Sequence, residues 1–181
     1  ATGRFEYPSD DMSTNYTPTY ALFHGTIGYT VECGENNEAS VTMGKYGLIG
    51  HTAYVAENKD DLYLNQLEFF RRALNNEESP ETEKWFVTQD NQVEANFREK
   101  DEYGKFYPEY YVIPTDADSQ RDIADAYFMQ EYFIRNGVQV EKLTEDVTVD
   151  GVTYKAGAFV IDMHQISRSF ANAVLYKGKI V

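Results

Sequence analysis

Cysteine occurs once in the 181 residues, at Cys33. One thiol closes no internal disulfide, so the fold gains nothing from covalent staples and cysteine usage leaves the redox compartment open. No apolar run approaches the roughly 20 residues that span a bilayer, and no signal peptide is expected at the start. Positive charge is also scarce: 16 Lys and Arg stand against 30 Asp and Glu, a net charge of −14. A field of that sign repels phosphate backbones and anionic lipid, so neither nucleic acid nor a membrane surface is an expected partner. Three histidines, His24, His51 and His164, are present, but no HxxE, HExxH or CxxC surrounds them. Local sequence therefore offers no zinc site.

Apolar residues make up 42% of the chain, enough for a core, and 15 Tyr and 11 Phe give it a high aromatic content. The length suits one large domain or two small ones. The chain opens on Ala-Thr-Gly rather than Met, which suggests a piece of a longer protein or a processed one.

Residues 1–19 carry Pro8, Pro18 and many short polar side chains and read as loop. YALFHGT (20–26) and IGYTVEC (27–33) read as strands around Gly25 and Gly28, followed by a polar turn, CGENNEAS. Leu48 to Leu74 reads as helix, with Asn58 or Asp60 as a cap and Arg71 and Arg72 suiting its C-terminal dipole. NNEESPETE (75–83) has no apolar residue and reads as a linker. KWFVTQ (84–89) reads as a short strand in a region of weak pattern.

The last third is better punctuated. YYVIP (110–114) is a buried strand. Residues 116–137 are a helix capped by Asp116 or Asp118 and closed by Gly137. VQVEKL (138–143) is a strand. VTVDGVTY (147–154) is a hairpin whose Asp150-Gly151 pair fits a type I′ turn. AFVIDM (158–163) is a strand, and ISRSFANAVLY (166–176) a closing helix. Strand, helix, strand, hairpin, strand, helix predicts a small α/β unit with a parallel sheet.

Few residues carry chemistry. Cys33 lacks a nucleophile signature, and its neighbour Glu32 disfavours the thiolate, so it reads as a small buried filler at a strand end. The strand-to-helix junction YVIPTDADSQ lacks phosphate-loop glycines and places aspartates where an anion would sit, so those aspartates read as caps. Glu32, at the end of an apolar strand, has two readings: a carboxylate in water, or a catalytic base at the mouth of a pocket. Spacing alone favours the first.

YALFHGTIGYTVECGENNE, with the long helix ending FFRRAL, resembles the C-terminal end of the catalytic domain of zinc metallocarboxypeptidases. A late strand of the form (Y/F)T-hydrophobic-E delivers that family's catalytic glutamate, and Tyr29-Thr30-Val31-Glu32 matches it. The resemblance implies that Glu32 is the general base, activating zinc-bound water and passing its proton to the leaving amine. Tyr7 and then Tyr16 are the nearest candidates for the family's substrate-binding tyrosine, and no arginine is assigned to the substrate carboxylate. Residues 110–163, with YVIP, a helix ending NGV and VDGxTYxAGxFVI, resemble an accessory domain of some bacterial members. That domain is similar in fold to glutamine amidotransferases and flavodoxin-like, but no elbow cysteine is present here and amidotransferase chemistry is not implied.

The expected organisation is thus a truncated carboxypeptidase mixed sheet in residues 1–76, a linker with short strands in 77–108, and the accessory α/β domain in 109–181. The family's HxxE pair and later histidine are missing. The resemblance therefore implies zinc in a longer parent, none in this chain, and an inactive piece on its own. It implies a peptide or cell-wall peptide substrate and an exported protein, secreted or at the cell surface. Cutting a central sheet exposes a strand edge at 20–33, an expected route to self-association. The alternative is a non-catalytic module that binds a peptide or partner.

Overall fold

A computed structural model describes residues 14–80 and 103–176. The first element is a helix, α1 (Thr17–Phe23), with Pro18 in its first turn. Proline's fixed φ is pre-formed for a helix start and its missing N–H costs nothing there. Gly25 follows at φ +77°, a left-handed residue that closes the helix. The strands expected at 20–26 and 27–33 are therefore not formed: α1 takes the first, and residues 26–33 are irregular. Ile27, Tyr29 and Val31 alternate as a strand would, yet all three are exposed. The strand edge expected at 20–33 is likewise not formed.

The single helix expected from Leu48 is two. Asn37 caps α2 (Glu38–Glu57) by accepting from the Ser40 N–H at 3.0 Å, and α3 (Lys59–Leu74) follows after one residue. That residue, Asn58, sends its side-chain amide to the Tyr54 carbonyl at 2.8 Å. Such local competition for a backbone acceptor is how Asn interrupts a helix. Asp60 and Asp61 sit in the first turn of α3 and Arg71 and Arg72 in its last, the arrangement the helix dipole favours.

The second half contains β1 (Tyr110–Ile113), α4 (Ile123–Arg135), β2 (Glu141–Lys142), β3 (Val147–Val149), β4 (Val152–Tyr154), β5 (Phe159–Asp162) and α5 (Arg168–Leu175). The cap of α4 is Asp122, which accepts from the Ala124 N–H at 2.8 Å. Asp116 instead caps a single turn through Ser119. Asp150 and Gly151 have φ +50° and +81°, as a type I′ hairpin between β3 and β4 requires.

The sheet corrects the expected parallel arrangement. Its order is β1–β5–β2 and both pairings are antiparallel. β1 and β2 do run the same way, as strands joined through a helix should, but β5 enters between them in the opposite sense. The result is a split β-α-β unit. Fold class is therefore mixed α/β with small antiparallel sheets.

Among the described residues, Phe133, Phe170, Ile161 and Met163 are the largest side chains wholly removed from solvent. Phe23, Ile113, Ala126, Val138, Phe159 and Ala171 complete this core. Phe23 belongs to α1, so the segment before residue 76 and the unit after residue 109 share one apolar centre. KWFVTQ lies outside the described residues.

Candidate functional site

Glu32 lies in the irregular stretch between α1 and α2, and its side chain is exposed. What is held is the chain that leads to it, residues 25–29. Gly25 sits under the Phe70 ring so closely that a Cβ there would fall 2.5 Å from Phe70 Cζ. The Gly25 carbonyl accepts from Gln66 Nε2 at 2.7 Å. Gly28 lies against the start of α1, where an added Cβ would fall 2.4 Å from the Pro18 carbonyl oxygen. The exposed Tyr29 ring then lies against that of His51 of α2, with centroids 4.2 Å apart and planes tilted by 47°. Two glycines permit close backbone approach and an aromatic pair closes the clasp.

A methyl at Gly28 must displace backbone, whereas one at Gly44 in α2 meets nothing within 4 Å. Gly28→Ala should thus destabilise the protein by about 1–3 kcal/mol, the usual cost of overpacking. Gly44→Ala should stabilise it by about 0.5–1 kcal/mol through helix propensity. Urea unfolding midpoints of the two variants check both signs.

Cys33 is not the buried filler expected at a strand end; it is an exposed free thiol, with Sγ 3.8 Å from the Ser40 carbonyl. The irregular chain there buries nothing, so a small filler has no void to fill. Tyr16 stands exposed at the N-terminus of α1. Tyr7 lies outside the described residues.

The histidines do not converge. His24 has Nδ1 2.8 Å from the Tyr20 carbonyl and Nε2 3.3 Å from the Asn136 carbonyl. His51 is on α2. His164 follows β5, with Nδ1 2.8 Å from Asp162 Oδ1 and Nε2 3.7 Å from Glu109 Oε2. Among the described residues no group of His, Cys, Asp and Glu could hold a metal ion. Nor is any described helix long and apolar enough to cross a membrane.

Two clusters escaped the sequence reading. The first joins His164 to Asp162 and Glu109. A hydrogen bond from Lys105 foremost, with the Lys105 charge, holds the Glu109 carboxyl below its usual range against partial burial. Its signal, Asp162-x-His164 after a strand, was visible; Glu109 is remote in sequence.

The second is Arg168, 4% exposed. Its guanidinium donates to Asn76 Oδ1 at 2.9 Å and to the Glu77 carbonyl, and lies 4.2 Å over the Tyr107 ring. Nε is buried without a partner, and burial lowers the Arg168 pKa. The fork of donors lets one side chain tie a helix end to α5.

No protein-family model, curated protein or solved structure matches the chain.

Proposed function

We propose that this chain is the part of a zinc-dependent carboxypeptidase that supplies the general base, and that Glu32 is that base. The observation that supports the reading is the clasp: an exposed carboxylate just beyond a backbone held by Phe70, Pro18 and His51. A base must be reachable and must be positioned. Glu32 takes a proton from the attacking water as its oxygen bonds to the peptide carbonyl carbon. It then returns the proton to the nitrogen as the C–N bond breaks. The described residues form no zinc ligand set, so no step is assigned to the metal. The 181-residue chain alone is expected not to hydrolyse peptides.

The test is Glu32→Gln in the protein that joins this chain to its metal-binding part, followed by release of a C-terminal amino acid from a peptide. Unchanged turnover would overturn the assignment.

A second reading, a module that binds a peptide or partner subunit, draws on α2. None of its residues is buried, and Val41, Met43, Tyr46, Leu48, Ile49, Tyr54 and Val55 are all exposed. An apolar helix is ordinarily covered. Turnover that survives Glu32→Gln would favour this reading.

A further inference from the structure

The two supports of the Glu32 segment are both anchored, through separate contacts, to neighbouring residues of α5. The first support is α1, against which Gly28 rests. The rings of Tyr20, Phe23 and His24 lie 5.9, 6.3 and 5.5 Å from that of Phe170. Tyr20 also donates to Asn136 Oδ1 at 3.0 Å, and His24 Nε2 faces the Asn136 carbonyl. The second support is α3, whose Phe70 and Gln66 hold Gly25. The chain leaving α3 is gripped at Asn76 and Glu77 by Arg168.

Phe170 is wholly buried and Arg168 nearly so. Both anchors are therefore buried where α1 and the end of α3 meet the β1–α5 unit, and neither is a loose surface contact. Aromatic rings packed edge to face and buried charge-assisted hydrogen bonds hold geometry far better than exposed ion pairs do.

We infer that the β1–α5 unit is the platform that positions Glu32, with Phe170, Asn136 and Arg168 as positioning residues acting through α1 and α3. The inference deepens the proposed function and rests on it for the role of Glu32, but the placement itself is a property of this chain. The β1–α5 unit thereby gains a role, that of holding a carboxylate which lies outside it. None of the three residues touches substrate; their effect passes through the backbone of residues 24–29.

Cys33 gives a direct readout, because the only cysteine is exposed and adjoins Glu32. A nitroxide placed on it in the full chain reports the motion of the segment without any need for activity. Tyr20→Ala combined with His24→Ala removes the α1 contacts to Asn136 and part of those to Phe170, while Phe170 itself stays in place. The expected result is about a three-fold shorter rotational correlation time for the label, the change from a packed segment to a loose loop on the nanosecond scale. Circular dichroism should retain the signal of the β1–α5 unit. Tyr20→Phe with His24 retained keeps the ring contacts and should restore most of the immobilisation. Leu22→Ala, an exposed position on the same helix, should leave the label unchanged. A label equally immobile in the Tyr20→Ala/His24→Ala variant, or equally freed by Leu22→Ala, would overturn the inference. Since the readout is motion, loss of the base assignment through an active Glu32→Gln protein would be a separate result.

Discussion

Replacing Phe170 with alanine should cost about 3–5 kcal/mol, the range for truncating a buried aromatic. Its side chain is 0% exposed and lies among the rings of Tyr20, Phe23, His24, Tyr132 and Phe133, which come from two other helices and the turn after the first of them. Collapse into the space is hindered because those neighbours are themselves held: Phe133 is wholly buried and Tyr20 is hydrogen-bonded to Asn136. The removed ring is lost transfer energy, and the space left behind is lost dispersion. Against a total stability of about 5–15 kcal/mol for a typical domain, that leaves a marginal fold. Urea unfolding checks it: the midpoint should fall sharply. A cost below about 1 kcal/mol would show that the three helices do not depend on this ring. Phe23→Ala combined with Phe170→Ala should cost less than the sum of the two, because they share one contact.

Glu32→Gln should reduce turnover about 10²–10⁴-fold in the protein that carries the metal-binding part, the span that general acid–base groups supply. Glutamine keeps the size and loses the basic oxygen, so binding should be untouched. The effect belongs in kcat, with KM little changed. Glu32 is exposed, and the substitution should alter stability by no more than about 0.5 kcal/mol. A turnover loss with unchanged unfolding is thus the signature of a base. A loss in KM alone would point to a binding carboxylate instead.

The parts of the fold visible in the sequence were those written locally. The Asp150-Gly151 turn needs two positive φ angles and the residues announce them. β1, β5, α4 and α5 carry their own periodicity, and Gly137 closes α4 at φ +80° as expected. Sheet order was not visible, because β2 is only Glu141 and Lys142 and its neighbour is fixed by β5, encountered later in the chain. Asp116, Asp118 and Asp122 are chemically alike, so only geometry could select Asp122 as the cap of α4. The alternation Ile27-x-Tyr29-x-Val31 imitated a strand because period two needs a partner before it means pairing. At the candidate site, Glu32 was legible as a residue type in a motif. Its clasp was not: Phe70, Gln66 and His51 lie on helices far along the chain, and their approach to two glycines and a tyrosine is a tertiary event.

Helix α2 carries Gly44, Gly47 and Gly50 in its interior, each with open space around it. Glycine costs about 0.5–1 kcal/mol relative to alanine at such positions, and no buried residue of α2 offsets that by packing. Isolated helices of this kind are marginal in water. The amides of residues 39–57 are therefore expected to be a fast clock for hydrogen exchange, and those paired across β1 and β5 a slow one. That difference turns α2 into its own reporter: anything that covers the helix slows the fast clock and leaves the slow one running as before.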